Sequence, residues 1–392
     1  MARAISQRAA RPQLMRAMNE QLLLEQVRQD GPFSRAELAR ISGLSKPTVG
    51  LALANLEHDG LVRVAGQRSG VRGPAAVLYD IRPDAGYVLG LDIGREFVRG
   101  ALADLSGAVR AKANQKARAT TAQGRLAELA ALGDALTASA GLTRAKVTQT
   151  VIGSPGVYDA ERGALRMARN LPGWEQPIVL TEFRRLFGRA TVVENDVDAA
   201  ALAERDHGHG SGVGTFAFVS VGTGVGMGLV IDGKLHRGAH GAAGEIAYLP
   251  LSNGEVDMAE SRRRGTLEAA ASASAVVRAA KRAGVRGNLS ARRIFVEAAQ
   301  GDLVAQAIVR AEATLIAKAL TSIIAVIDPE LIVLGGGVGR APGFAAEVGT
   351  ALGMLAPVVP EIRVSALGDD AVVVGCLAAG LERAWQRVLE RY

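Results

Sequence analysis

A capped pair of short helices between positions 34 and 60 constrains the fold of this chain more than any other stretch. Ser34 is a strong helix N-cap residue, and Glu37 three positions later completes the capping-box spacing. Gly43 suits the left-handed backbone of a tight turn, and Ser45 caps the next helix. The pattern predicts two helices joined at a steep angle, as in a helix-turn-helix.

An amphipathic segment precedes this pair, and two short strands follow it. Apolar residues from Leu14 to Arg28 recur at helical spacing, and Gly31-Pro32 ends that helix. Leu61–Val64 and Val77–Ile81 alternate as strands do, and the Gly/Arg-rich GQRSGVRGP between them predicts a wing. We therefore predict a winged helix-turn-helix DNA-binding domain over residues 1–82. The predicted core positions of its helix pair are Leu38, Ile41, Val49, Leu53 and Leu56.

The second helix of the pair would present small polar side chains and a lysine where a recognition helix meets the major groove. Such groups reach phosphates or base edges, and a basic wing reaches a minor groove or the backbone. The net charge of +7 suits phosphate contact. The basic wing disfavours the alternative, a helix-turn-helix that contacts another protein. The residues predicted to bind DNA are Ser34, Arg35, Ser45, Lys46, Pro47, Thr48, Arg68 and Arg72.

The single cysteine and the hydropathy pattern exclude several classes of protein. One thiol, Cys376, allows neither an internal disulfide nor a metal site of several thiolates. It lies in the apolar run VVVGCLAAG, which predicts a buried side chain. The N-terminal residues lack the apolar core of a secretory signal, and no run of about 18 apolar residues occurs. We expect a cytoplasmic protein with no membrane partner.

Beyond a linker at Pro83-Asp84-Ala85-Gly86, the pattern changes to strand hairpins and long Ala-rich helices, which is typical of an α/β domain. A weak internal repeat is present, because VLGLDIGREFVRGALADLSGAVR resembles AFVSVGTGVGMGLVIDGKLHRG in its order of strands and Gly turns. Two such units predict two related lobes that face each other across a cleft, where ligands commonly bind.

Eight motifs in one order make the chain resemble the ROK family of repressors, open reading frames and sugar kinases. The resemblance implies a winged helix followed by a two-lobed actin-like, ribonuclease H-like sugar-kinase fold. It places the small lobe at 83–196, completed by about 378–392, and the large lobe at 197–377. The motifs are LGLDIG at 89–94, SPGVYD at 154–159, NLPGW at 170–174, ENDVDAAALAE at 194–204, VGTGVGMGLVIDGKL at 221–235, AGEI at 243–246, GTLEAAAS at 265–272 and DPELIVLGGGV at 328–338.

The resemblance also implies which residues surround a ligand. In family kinases the residue matching Asp196 is the general base that takes a proton from the sugar hydroxyl. Without the family pattern, a helix N-cap is an equally good interpretation of Asp196. The implied sugar-binding residues are Asn170, Asn195, Asp196, Glu245, Tyr248 and Glu268. The loops that match the nucleotide site contain Asp92, Gly94, Gly222, Thr223, Gly224, Gly335, Gly336 and Gly337.

Three departures from the family kinases change what the resemblance implies. Where those kinases have DxGGTK, this chain has Arg95 and Glu96, and a carboxylate would repel nucleotide phosphates. Tyr248 replaces a histidine that contacts both sugar and zinc in many members. The cysteine-rich zinc segment is absent, so we expect no metal and no cofactor. Arg262–Arg264 occupy its place, either to hold the loop by ion pairs or to bind a ligand phosphate.

These departures favour a sugar-responsive DNA-binding transcriptional regulator over an enzyme. Its expected partners are operator DNA and a sugar or sugar phosphate, and it is expected to form a homodimer or a dimer of dimers. A sugar between the lobes would change their closure, the spacing of two winged helices and so the affinity for DNA. One alternative is an active ATP-dependent sugar kinase that also binds DNA. Another is an architectural DNA-binding protein with a vestigial pocket.

Overall fold

The computed structural model describes residues 2–69, 75–159, 162–168, 171–251 and 258–390. Its N-terminal part is a winged helix-turn-helix with a three-stranded sheet of order β1-β3-β2. The elements are α1 (Ala2–Asp30), β1 (Phe33–Ser34), α2 (Arg35–Ser42), α3 (Lys46–His58), β2 (Val62–Arg68) and β3 (Ala76–Ile81).

Local capping chemistry forms the helix pair as the sequence predicts. The Ser34 hydroxyl accepts from the Glu37 backbone N–H at 3.3 Å, and Glu37 Oε2 accepts from the Ser34 N–H at 2.8 Å. The Ser45 hydroxyl caps α3, and Gly43 has a left-handed φ of 72°. The capping box, the turn and the start of the second helix are therefore confirmed.

Two details of this domain differ from the prediction. Four of the five predicted core residues are fully buried: Leu38, Val49, Leu53 and Leu56. Ile41 is 43% exposed, and the core cluster includes Leu38 of α2 but not Ile41. Strand β2 continues to Arg68, since β3 supplies backbone partners from Ala76 onward. The wing strands are thus longer than the alternation of apolar residues indicated.

The small lobe follows a 3₁₀ turn at Pro83–Ala85. Its five-stranded sheet has the order β10-β7-β4-β5-β6, in which β4, β5 and β6 are antiparallel and β7 and β10 are parallel to β4. The elements are β4 (Tyr87–Ile93), β5 (Phe97–Asp104), β6 (Val109–Lys116), α4 (Ala122–Ser139), β7 (Val147–Ser154), the hairpin β8 (Val157–Asp159) and β9 (Ala164–Arg166), α5 (Ile178–Phe187) and β10 (Thr191–Asn195).

The large lobe repeats that strand arrangement in a second sheet of order β13-β12-β11-β14-β15. The predicted pair of related lobes is therefore confirmed. The elements are α6 (Asp196–His207), β11 (Phe216–Val221), β12 (Val225–Ile231), β13 (Lys234–Leu235), α7 (Met258–Arg264), α8 (Thr266–Ala270), α9 (Ala273–Arg282), α10 (Ala291–Ala299), α11 (Leu303–Ile327), β14 (Leu331–Gly335), α12 (Gly336–Gly339), α13 (Phe344–Leu355), β15 (Glu361–Val364) and α14 (Ala371–Leu389).

The last helix, α14, returns to the small lobe and packs against α6, β4 and β7. Its close approach to α6 requires Gly375, because a Cβ there would meet the Ala199 backbone. The helix begins at Ala371, earlier than position 378, and the predicted division of the chain into domains stays a prediction. Cys376, in this helix, is fully buried as expected.

One hydrophobic cluster joins the winged helix to the small lobe. It contains Leu23, Leu24 and Val27 of α1 together with Leu105 and the α14 residue Trp385. The large lobe and the outer face of the small lobe have separate cores. None of the helices in the described part of the chain is long and apolar enough to cross a bilayer.

Candidate ligand-binding cleft and DNA-facing surface

Three carboxyl groups approach one another at the cleft between the lobes. Asp196 is the first residue of α6, Glu245 precedes a 3₁₀ turn at Ile246–Tyr248, and Glu268 lies in α8. Burial raises the pKa of Asp196 to about 6, with a further contribution from the charge of Glu268. Burial raises the pKa of Glu245 to about 7, helped by the charges of Asp196 and Glu268. Asp196 and Glu245 therefore titrate close to neutral pH.

This acidic cluster makes the ligand-free protein less stable as the pH rises. The pKa of Glu245 in the folded protein lies above its reference value of 4.5. The free energy of unfolding is therefore highest below pH 4.5, where the carboxyl group is protonated, and it falls as the pH rises from there through about 7. Glu245→Gln should raise the melting temperature by a few degrees near pH 8 and change it little near pH 5, at about 2–4 °C per kcal/mol. Thermal melts of both proteins at the two pH values check this, and equal differences at both would contradict it.

Asn195 orients the start of α6. Its Oδ1 accepts from the backbone N–H groups of Val197 at 2.9 Å and Asp198 at 3.1 Å, and its Nδ2 donates to the Gly156 carbonyl at 3.1 Å. The N-cap of α6 is therefore Asn195, and the alternative role of Asp196 as the cap is wrong. The Asn195 amide ties the SPGVYD loop to the helix and places Asp196 at the mouth of the cleft.

Arg264 connects Glu268 to the glycine-rich loop after β11. Its Nε donates to Glu268 Oε1 at 2.8 Å, and its Nη2 donates to the Thr223 carbonyl at 3.1 Å. The second carboxylate oxygen of Glu268 accepts from the Val225 N–H at 3.1 Å. Of the two roles open for the three arginines, this network favours ion pairing for Arg264.

The loop does not fit the structural zinc ion that many family members hold. Its positions carry no thiolate, and the Arg264 guanidinium forms the link between α7, α8 and the β11–β12 turn, with a further ion pair of 3.4 Å to Glu260. Among the described residues, no group of three or more His, Cys, Asp or Glu side chains is placed to hold a metal ion.

Of the other predicted sugar residues, the structure describes Tyr248, which lies next to the acidic cluster. Tyr248 is 38% exposed in the 3₁₀ turn that follows Glu245. Asn170 lies outside the described residues. The loop that follows it is anchored by Trp174, which is fully buried and donates from Nε1 to the Ser154 hydroxyl at 2.9 Å.

The hairpin that matches the kinase phosphate loop has a paired carboxylate. Asp92 at the end of β4 lies opposite Arg99 on β5, with Arg99 Nη1 at 3.1 Å from Asp92 Oδ2. Burial raises the pKa of Asp92 to about 7, and the Arg99 charge partly opposes that shift. A cavity of about 150 Å³ next to this pair is also lined by Asp196, Ser220, Gly336, Arg340 and Asp369. Arg340 in turn pairs with Asp369.

Of the glycine residues of the nucleotide loops, Gly336 lines this cavity, and several of these glycines pack closely against other backbone. Gly336 has a φ of 75°, and a Cβ there would lie 2.4 Å from the Val221 carbonyl oxygen. Gly222 lies against Gly337, and a Cβ on Gly94 would lie 2.7 Å from the Phe97 carbonyl oxygen. Gly222, Thr223 and Gly224 form the β11–β12 turn, and Gly335 ends β14. These glycines therefore allow the close backbone packing that a phosphate-binding loop needs. Arg95 and Glu96, which replace family residues of the hairpin turn, are exposed.

Sequence reasoning missed Arg99, and it did not predict which groups Arg264 contacts. Arg99 is seven positions after Asp92, and the register of a tight β4–β5 hairpin would have placed the two opposite each other. Arg264 precedes Glu268 by four positions, the spacing of a helical ion pair, although a glycine N-cap at Gly265 separates α7 from α8.

Several predicted DNA-binding residues form hydrogen bonds or ion pairs with other residues of the protein. Ser34 is 6% exposed and its hydroxyl caps α2, so it stabilises the helix pair and is not placed to contact DNA. Arg35 donates to the Tyr79 hydroxyl at 2.5 Å and lies over its ring. Arg68 lies on β2 and pairs with Glu37 at 2.7 Å. Arg72 lies outside the described residues.

The N-terminal end of α3 is the most accessible part of the predicted DNA surface. Ser45, Lys46 and Pro47 are exposed, and Thr48 is half-buried. The hydroxyl oxygens of Ser45 and Thr48 are 2.8 Å apart, so they form one polar edge beside the lysine. This edge has the composition expected for contacts with phosphates and bases.

The family model described as "ROK family" matches residues 88–382, which include both lobes and every described residue of the cleft. The chain belongs to the ROK family. The recognition made from the eight motifs is therefore confirmed, as is the α/β fold with a winged helix before two actin-like lobes.

Both regulators and kinases of the ROK family are similar to this chain. The xylose repressor of Caldicellulosiruptor bescii is 26% identical over 391 residues, which cover 93% of this chain and 96% of that protein. The glucokinase of Thermotoga maritima is 33% identical over 204 residues, or 48% of this chain and 64% of that enzyme. A crystal structure of a ROK family transcriptional regulator, a homologue of the E. coli MLC protein, superposes with a TM-score of 0.76 at 24% identity. That superposition covers 96% of this chain and 98% of the other, and at this identity it shows the fold.

Proposed function

We propose that this protein is a sugar-responsive transcriptional regulator, and specifically a repressor of genes for carbohydrate metabolism. The observation that carries the proposal is the similarity to a xylose repressor over 93% of the chain, which includes the winged helix as well as the cleft. The glucokinase similarity covers 48% of the chain. A protein that regulates transcription acts at the chromosome, so we assign it to the cytoplasm.

Operator DNA is bound by the exposed N-terminal end of α3. Ser45, Lys46 and Thr48 supply hydroxyl and ammonium donors there, and the wing adds positive charge. Operators with two related half-sites match a protein that presents two winged helices, so we assign a homodimer or a dimer of dimers.

Lys46→Ala should weaken binding to every DNA sequence by a similar factor. A lysine that contacts one phosphate releases about one counterion on binding, so its loss should reduce the slope of log K against log salt by about 1. Fluorescence anisotropy with operator and scrambled duplexes at several salt concentrations measures both quantities. Arg189→Ala, an exposed arginine on the small lobe, is the matched control. An unchanged salt slope would remove Lys46 from the DNA interface.

A sugar is bound by the acidic cluster of the cleft. Carboxylate oxygens accept hydrogen bonds from sugar hydroxyls, and a protonated carboxyl also donates. Glu245 has a pKa of about 7, so near neutral pH it can do either. Glu268 is held in place by hydrogen bonds from Arg264 and the Val225 N–H.

The nucleotide loops argue against phosphoryl transfer. The Asp92 carboxylate is paired with Arg99 at 3.1 Å, next to the cavity that the glycine loops border. Glu96 adds a negative charge at the turn that surrounds phosphates in family kinases. A sugar kinase is the second candidate, because a half-buried Asp196 with a pKa of about 6 suits a general base.

The sugar signal reaches the winged helix through α14. The start of α14 lines the cleft cavity at Ala371, and the helix packs along α6, which begins with Asp196. About 21 Å further on, at 1.5 Å per residue, Trp385 enters the cluster that contains Leu24 and Val27 of α1. A change in lobe closure at one end of α14 therefore changes how the DNA-binding domain packs against the other end of the helix.

Operator binding with candidate sugars titrated in tests this proposal. Full-length protein should retard a duplex from its own upstream region, and one sugar should change that retardation at concentrations where it also raises the melting temperature. If the duplex is not specifically retarded under any condition, the proposal that this protein is a transcriptional regulator is wrong. Sugar phosphate formed from ATP, and abolished by Asp196→Asn, would establish the kinase instead.

A further inference from the structure

A second cavity of about 340 Å³ lies on the small lobe and shares no lining residue with the cleft cavity. Its walls are the β4–β5 turn at Arg95, the segment 117–122 between β6 and α4, Arg125 in the first turn of α4, and the segment 171–174. Its volume is within the range of about 300–1,000 Å³ that holds small-molecule ligands.

The lining of this cavity is basic. Arg95, Arg118 and Arg125 line it, and the side chains of Arg95 and Arg118 have no hydrogen bond or ion pair with another described residue. The nearby acid is Glu128, whose Oε1 accepts the backbone N–H groups of Arg118 and Ala119 at 2.8 Å each. Glu96, adjacent to Arg95 in the chain, does not line the cavity. Three cations against one acid leave a positive charge that an anion would balance.

Arg125 is the one buried cation of this group. Its side chain is 7% exposed, and its Nη2 donates to the carbonyl groups of Ala119 at 3.1 Å and Arg95 at 3.4 Å. Its Nη1 makes no hydrogen bond and lies 3.4 Å from Glu128 Oε2. The contact with Glu128 is an ion pair without a hydrogen bond, and the planar fork of a guanidinium matches the oxygens of a phosphate.

The other walls suit the same kind of ligand. The cavity lies at the N-terminus of the 18-residue helix α4, where the helix dipole favours an anion, and the hydroxyls of Thr120 and Thr121 are nearby. The opposite wall is apolar and consists of Leu171, Pro172 and the buried Trp174. A small molecule with a charged end and a carbon skeleton would complement both walls.

We propose that this cavity binds the phosphate group of a small molecule, with Arg125 and Arg118 as its principal ligands. The source is either inorganic phosphate or a phosphorylated sugar. Phosphate binding at this site does not rest on the proposed function.

Isothermal titration and thermal melts of the full-length protein test the site. Inorganic phosphate and glucose 6-phosphate serve as probes, with glucose and sodium chloride at matched ionic strength as controls. We expect phosphate to raise the melting temperature, and Arg118→Gln to weaken binding by about tenfold, the loss of one hydrogen bond to a charged group. Arg118 is exposed, so its variant should melt like the wild type without ligand. Arg310→Gln, an exposed arginine on α11, is the matched control.

The outcomes distinguish inorganic phosphate from a phosphorylated sugar as the ligand, and they separate this site from the proposed function. Tighter binding of glucose 6-phosphate than of both phosphate and glucose supports a phosphorylated sugar, and equal binding of the two phosphates supports inorganic phosphate. No binding of either phosphate, or equal binding to the Arg118→Gln protein, overturns the site. Phosphate binding in a protein that binds no operator would refute the proposed function and leave this site standing.

Discussion

Replacing Arg264 with methionine should weaken sugar binding by about a hundredfold, the largest effect expected from any single change in the cleft. The guanidinium is 12% exposed and holds Glu268 and the Thr223 carbonyl together. Removing one partner of a buried, hydrogen-bonded charge pair costs about 2–5 kcal/mol, because the other charge stays buried without its counter-ion. The methionine fills much of the same space, so the loss should come from the charge and the donors.

Three measurements make this expectation specific. Isothermal titration gives the sugar affinity, and thermal melts give the stability. The Arg264→Lys variant should recover only part of the affinity, since one ammonium lacks the planar fork that reaches both Glu268 Oε1 and the Thr223 carbonyl. Arg282→Met, an exposed arginine on α9, is the control. Wild-type affinity in the Arg264→Met protein would mean that Glu268 is positioned by something else, or does not contact the sugar.

Local chemistry made the winged helix predictable. The capping box at Ser34, the left-handed turn at Gly43 and the cap at Ser45 each depend on residues within three positions of one another. Ile41 was misplaced because apolar character at helical spacing does not tell which turn of a short helix reaches the core. Arg68 was misplaced because the length of β2 depends on its partner strand.

The sequence predicted which acidic residues lie at the cleft, but not which hydrogen bonds and ion pairs the cleft residues form. Asp196, Glu245 and Glu268 come from three separate elements, and the family motifs brought them together. The pairing of Asp92 with Arg99 depends on hairpin register, which the motif alone does not encode. The link from Arg264 to Thr223 spans 41 positions and forms only when α8 packs beside the β11–β12 turn.

Replacing Trp385 with leucine should leave a protein that binds both sugar and operator but no longer connects the two. The indole donates from Nε1 to the Leu105 carbonyl at 3.0 Å, and Arg28 of α1 lies over its ring at 6.0 Å from the centroid. Leucine keeps an apolar side chain in the cluster but removes the hydrogen bond and the stacking surface. The winged helix should then no longer be held to α14 in one orientation, and the sugar should lose its effect on operator affinity.

A matched core substitution separates coupling from general destabilisation. Phe295→Leu removes a fully buried aromatic ring from the large-lobe core, away from the winged helix, and shortening such a core side chain costs a few kcal/mol at most. We expect that variant to melt earlier yet keep the wild-type ratio of operator affinities with and without sugar, whereas the Trp385→Leu ratio should fall toward one. Anisotropy titrations at saturating sugar measure the ratio. If Trp385→Leu keeps it unchanged, the signal does not travel along α14, and a rearrangement between subunits becomes the better account of how a sugar changes DNA affinity.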